Sequence, residues 1–263
     1  MKKIRTLQII GIKRFFIYDR LIFCDLFSNL VYIILFTKLM RNIETQTEQS
    51  KLHIADLSFA VAVIPTPPLR NRIAKASLAI SEQFENRNVI DNEQFPAHLS
   101  LYLGGTDRKF ISSFRTKLEK ATKPFLSVNF TVDKIYQEPS GFIGVNCYKS
   151  KQLLSLLQII LEKCGELHRK HPRYRPHLIE RWPSLTKQRQ QLLLQFGTYK
   201  LPEQHSHHLS VALVSERNLN EAFQIAKRRL DVPKDFNIKE IQIVDIGHKN
   251  EQWHVLYQWS GTR

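Results

Sequence analysis

The sequence predicts an α+β fold: a bilobed, pseudo-two-fold duplicated chain with two antiparallel sheets flanking a central cleft and helices on the outside. Three observations lead there. The stretch His98-Leu99-Ser100-Leu101-Tyr102-Leu103 is matched by His208-Leu209-Ser210-Val211-Ala212-Leu213. Each is followed by the same succession of a helix-like segment, a strand and a hairpin into a further strand, which is an internal repeat. The registers agree: His208 lies 110 positions after His98, Phe236 lies 110 after Leu126, and Trp253 lies 111 after Phe142.

In chain order, residues 1–50 read as an N-terminal extension and linker, and 51–263 as the bilobed domain. Leu21 to Thr37 is largely apolar, but it runs only 17 residues and contains Asp25, Ser28 and Asn29. A membrane span needs about 20 apolar residues, so this is a poor one. No small-x-small cleavage site follows before Lys38 to make it a secretory signal. The segment reads as a helix packed on the domain, as sequence upstream of a start at Met40, or as a peripheral anchor. Membrane association is expected only through residues 1–39.

Leu57 to Ile64 is a hydrophobic run stopped by Pro65-Thr66-Pro67-Pro68, the pattern of a buried strand. Leu69 to Phe84 follows a helical period that offers Ile73, Ala76, Leu78 and Ile80 to a core. In the first motif strand, alternation places His98, Ser100 and Tyr102 on one face and Leu99, Leu101 and Leu103 on the other. In the second, His208, Ser210 and Ala212 oppose Leu209, Val211 and Leu213. Arg108 to Thr122 and Leu219 to Leu230 read as helices, and Leu126 and Phe236 begin strands. Turns at Glu138–Gly141 and His248–Asn250 lead into strands at Phe142 and Trp253. The repeats thus span about 98–148 and 208–258, with a helical inter-lobe segment at 149–206.

Within that segment Lys151 to Arg169 is strongly amphipathic and predicts a helix, and Ser184 to Phe196 predicts another. Residues 168–177 gather four cations, three histidines and Tyr174. They read as a basic rim with Arg173 and Arg175 on phosphates and Tyr174 stacking on a base, or as a proline-stiffened connector. His177 rivals His208 for the second catalytic position, but two residues on stands Ile179, which cannot hydrogen-bond a phosphate. His207 has Leu209 as its same-face neighbour. His205 and His207 share a strand face without an Asp, Glu or Cys at ligand spacing, so no metal is expected.

Breaking a phosphodiester without a metal requires a proton acceptor, a proton donor and hydrogen-bond donors for the non-bridging oxygens. Two imidazoles with pKa near 6.5 and two hydroxyls meet that requirement. The paired His-x-Ser motifs, one in each of two related halves, resemble the two-histidine (2H) phosphoesterase superfamily. That superfamily includes the bacterial RNA 2',3'-cyclic phosphodiesterases historically called 2'-5' RNA ligases. The resemblance covers about residues 56–258. It implies a phosphodiesterase without metal or cofactor that acts on RNA ends or a nucleotide-like cyclic phosphate, with a reversible RNA ligase activity. His98 and His208 would be the catalytic pair, Ser100 and Ser210 would bind the phosphate, and Tyr102 would flank the substrate. On that pattern the first-lobe histidine is the acid; the residues themselves do not assign acid and base. The stretch 171–206 is longer than compact members need.

Composition agrees with this reading. The chain has 263 residues, 43% of them hydrophobic, enough for a substantial core and unlike a disordered chain. Against 24 Asp and Glu stand 39 Lys and Arg, a formal +15 that attracts polyanions. Two further classes therefore stand beside the enzyme: a non-catalytic RNA-binding module, and a membrane-associated protein dependent on residues 1–39. Three widely spaced cysteines make neither a disulfide framework nor a CxxC pair, which fits a reducing, cytoplasmic environment; a monomer is expected.

Overall fold

The computed structural model describes residues 52–201, 204, 207–247 and 253–261. The readings of residues 1–50, of His205 and of the turn at His248, Lys249 and Asn250 lie outside them. No helix among the described residues is long and apolar enough to cross a membrane.

The apolar run from Leu57 becomes β1 (Leu57–Pro65), buried along nearly its whole length. Leu57, Phe59, Val61 and Val63 enter the main core, and the alternate face carries the small Ala60 and Ala62. Thr66 then leads into α1 (Pro67–Ser81), whose first two positions are prolines that need no amide partner there. Leu69, Ile73, Ala76 and Ile80 fill its inward stripe. Leu78, expected inside, is instead 43% exposed.

The first motif opens β2 (Leu99–Thr106), followed by α2 (Ile111–Thr122), β3 (Asn129–Gln137) and β4 (Phe142–Cys147). β3 starts later than Leu126 because Pro124 sits in a 3₁₀ turn, Lys123–Phe125. Ser150 caps α3 (Lys151–Lys170) by accepting from the Leu153 amide at 3.2 Å. α4 (Pro176–Arg181) and α5 (Lys187–Phe196) follow. α5 ends on Gly197 in the left-handed conformation, φ 69°. Tyr174, Leu178, Trp182 and Leu193 form a small second core here.

The second motif forms β5 (His208–Leu213), then α6 (Leu219–Arg229), β6 (Asp235–Asp245) and β7 (His254–Ser260). The fold is α+β, and every strand pairing is antiparallel. The apolar stripes of α1, α2, α3 and α6 share one core with the strands, where each fully buried Leu or Ile contributes about 1.5–3 kcal/mol.

The expected two separate sheets are joined into one circuit. Strand order is β1-β2-β5-β4-β3-β6-β7, with β1 also paired to β6. The reason is the length of β6, 11 residues: Asp235–Asn237 pair with β3, and the remainder runs between β1 and β7. The halves β7-β6-β1-β2 and β5-β4-β3 therefore meet at two seams. One is this β3–β6 ladder, and the other is the single pair Leu99↔Leu209 between β2 and β5.

The face assignments beyond Ser100 and Ser210 are corrected: Tyr102 and Ala212 turn into the core and Leu103 is 36% exposed. Ala62 pairs with Ser100 while Val61 pairs with Tyr102, so Leu101 is an extra residue in β2, a β-bulge. The alternation resets after it. Tyr102 therefore points with Val61 into the core, 5.7 Å from the Phe59 ring, and its hydroxyl donates to the Phe196 carbonyl at 2.7 Å. Tyr102 does not share the face of His98 and Ser100. β5 carries the same irregularity: Gly144 pairs with Ser210 and Ile143 with Ala212, leaving Val211 extra.

Candidate active site

The Leu99↔Leu209 pair fixes the site. Both leucines are buried, 1% and 0% exposed, so the residues on either side of each point to the opposite face. Continuing that antiparallel register by one position sets His98 across from Ser210 and Ser100 across from His208. Directly opposed residues have Cβ atoms about 4.5–5.5 Å apart. All four side chains are half-buried on one face. On the far side of β5, Asn146 pairs with His208 and Gly144 with Ser210. On the far side of β2, Ala62 pairs with both Ser100 and Gln242. Gly144 has no side chain because the Phe142 and Tyr136 rings, which also flank His208, occupy the space a Cβ would take.

His98 Nδ1 lies 3.0 Å from the Pro96 carbonyl. A carbonyl can only accept, so Nδ1 carries the proton in the neutral ring and Nε2 is left as the atom that exchanges protons. Burial pushes the His98 pKa down to about 4, and a charge on His208 pushes it the same way. Phe95 meets the His98 ring edge-on at 5.3 Å, and Trp253 lies 4.1 Å from it. Phe142 packs on His208 at 4.7 Å, with Tyr136 at 6.3 Å. Burial raises the Tyr136 pKa to about 12, which keeps its phenol a hydrogen-bond donor.

A cavity of about 260 Å³ opens beside Ser100 and His208. Tyr102 and Leu103 contribute to its strand side, so Tyr102 borders the cavity although it does not share the face of His98, and Arg175, His177, Thr198, Tyr199 and Lys200 line the other. The basic rim expected at residues 173–175 divides three ways. Arg173 is held by Asp107 at 2.8 Å. Tyr174 is 4% exposed, with its ring edge-on to His168 at 4.8 Å, so it cannot stack on a base. Arg175 does reach the cavity. His177 sits on this wall too, its pKa lowered by burial and by the neighbouring Arg175 and Arg181 cations. Sequence reading missed Phe142 and Trp253 as histidine neighbours, although the repeat aligns them, and missed Thr198, Tyr199 and Lys200, which carry no motif. Among the described residues, no group of His, Cys, Asp and Glu side chains could hold a metal.

No protein-family model matches the sequence, and no curated protein is significantly similar to it. Solved structures match over most of the chain at low identity. A crystal structure described as a phosphoesterase matches with TM-score 0.39 and 10% identity, over 79% of this chain and 99% of its own. E. coli LigT in apo form matches with TM-score 0.44 and 12% identity, over 79% of this chain and 98% of its own. The 3'-AMP complex of E. coli LigT matches with TM-score 0.42 and 11% identity, over 79% and 99%.

Proposed function

We propose that the chain is a metal-independent phosphodiesterase that opens a 2',3'-cyclic phosphate, or a related diester of RNA ends or nucleotides, with His98 and His208 as its acid/base pair. The observation that carries this reading is the Leu99↔Leu209 pair, whose register turns two imidazoles and two hydroxyls to one face. One histidine takes a proton from water as its oxygen bonds to phosphorus. The other protonates the ribose oxygen as the P–O bond breaks, and Ser100 and Ser210 donate to the non-bridging oxygens. Two imidazoles close enough for the charge of one to bear on the other suit acid/base work better than passive binding.

Two further correspondences support a duplicated origin. The bulge residues Leu101 and Val211 lie 110 positions apart, the spacing of the histidines. Phe142 from the first repeat packs on His208 of the second, and Trp253 from the second packs on His98 of the first. Cys147 and Cys164 are buried free thiols, which suits the reducing cytoplasm.

The test is incubation with an oligonucleotide ending in a 2',3'-cyclic phosphate and with mononucleoside 2',3'-cyclic phosphates, in the presence of chelator. A ring-opened monophosphate is the expected product. No turnover of either, or turnover abolished by chelator and restored by a divalent metal, removes this reading.

A further inference from the structure

We propose that the cavity beside Ser100 and His208 is a subsite for a second phosphate of the substrate, separate from the phosphate under attack. The proposal rests on the function proposed above and narrows it to substrates carrying more than one phosphate group.

Position comes first. The reacting phosphate belongs between the His98–Ser210 and Ser100–His208 pairs, yet His98 and Ser210 do not line the cavity. The cavity is therefore offset from the reacting centre and touches it only through Ser100 and His208. Its volume, about 260 Å³, is at the small end for a ligand pocket and suits one further group rather than a second nucleoside.

Charge comes next. Arg175, His177 and Lys200 line the cavity, and among the described residues no Asp or Glu does. The sequence neighbour of Arg175, Arg173, is by contrast held by Asp107 at 2.8 Å. Arg175 has no acidic partner among the described residues, and the groups that bear on its charge are the phenols of Tyr102 and Tyr199. It is also half-buried, so its guanidinium has lost water without gaining an anion. A partly desolvated guanidinium offers a planar fork that fits two phosphate oxygens, and charge-assisted bonds of that kind are about twice as strong as neutral ones. The Tyr199 ring is braced from behind, its hydroxyl accepting from Arg181 at 3.3 Å with the Arg189 guanidinium 6.0 Å from its ring. This wall belongs wholly to residues 175–200, the inter-lobe stretch that the catalytic repeat does not use.

The second phosphate could be a 5'-terminal monophosphate or the next phosphodiester of an RNA chain, and one experiment separates them. Three ligands are titrated by calorimetry at one ionic strength into full-length His98→Ala, in which turnover is slowed, with each ligand checked as intact after the titration. They are adenosine 2',3'-cyclic phosphate, its 5'-phosphorylated form, and a 5'-hydroxyl dinucleotide with a 2',3'-cyclic end. At least one phosphorylated ligand is expected to bind tenfold or more tightly than the first. A gain for the second ligand alone assigns a terminal phosphate, and a gain for the third alone assigns the RNA chain. Adding Arg175→Gln or Lys200→Gln should bring the ratio within about threefold. Lys200→Gln decides if Arg175→Gln does not fold. Equal binding of all three overturns the proposal. So does a matching fall in Lys227→Gln on α6, which would assign the preference to the general positive field. Selectivity without turnover by the unsubstituted protein would retire the function proposed above and leave the subsite standing; turnover without selectivity would do the reverse.

Discussion

The indole of Trp253 lies against the His98 imidazole, ring centroids 4.1 Å apart and planes inclined by 37°. Its Nε1–H donates to Gln242 Oε1 at 2.6 Å, so what it presents to His98 is an apolar wall rather than a hydrogen bond. That wall is part of the burial that pushes the His98 pKa to about 4. Trp253→Ala is expected to admit water, raise the His98 pKa toward its ordinary 6.5 and reduce kcat. Trp253→Phe should stay near the parent on both counts. Titrating the His98 ring proton by NMR checks this; an unmoved pKa in Trp253→Ala would assign the burial to other neighbours.

His98→Ala and His208→Ala should each lower kcat/KM by about 10²-fold or more. His177, on the cavity wall, should behave differently when changed to alanine: KM rises while kcat holds, the signature of lost uniform binding. Steady-state kinetics on all three variants, with thermal unfolding to check folding, would show a misplaced acid/base pair at once if a single histidine variant kept full activity.

Two histidines shape the acid side of the stability curve. Burial lowers both His98 and His168 from 6.5 to about 4. Between those values the unfolded chain binds protons that the folded chain refuses, so unfolding takes up protons and stability falls as pH drops from 6.5 toward 4. Above 6.5 both states are neutral at these rings, and below 4 both are charged, so the slope is confined to that window. His98→Gln combined with His168→Gln should flatten the decline in Tm across it, as read by thermal scans at a series of pH values. An unchanged decline would place the acid sensitivity in other groups.

Tyr102→Phe deletes a core hydrogen bond to the Phe196 carbonyl. Its expected effect is a loss of about 0.5–1.5 kcal/mol in a urea titration. A loss near zero would mean that Phe196 O finds another donor at no cost.

Much of this molecule was legible in the chain because its signals are local. The stretch Lys151 to Lys170 announces a helix through a stripe of Leu, Ile and Cys, and β1 announces itself through unbroken apolar residues ended by proline. The motif strands were legible from alternation, and the repeat from matched spacings. What failed was set across strands. The bulge at Leu101 follows from how β2 registers against β1, so nothing within residues 98–103 says that Tyr102 turns inward. Tyr174 looked available because it stands among cations, yet its ring is enclosed with Leu178, Trp182 and Leu193. Tyr199 and Lys200 became visible only once Gly197 had turned the chain back past α5.

The β2–β5 seam has a consequence for the life of the chain. Its two leucines are made 110 residues apart, and neither half alone owns a complete set of reacting groups. A growing polypeptide still short of Leu209, or a fragment cut anywhere between the motifs, carries one imidazole and one alcohol facing nothing. On the proposed function, the four groups come together only after synthesis has passed the second strand and the two edges have met.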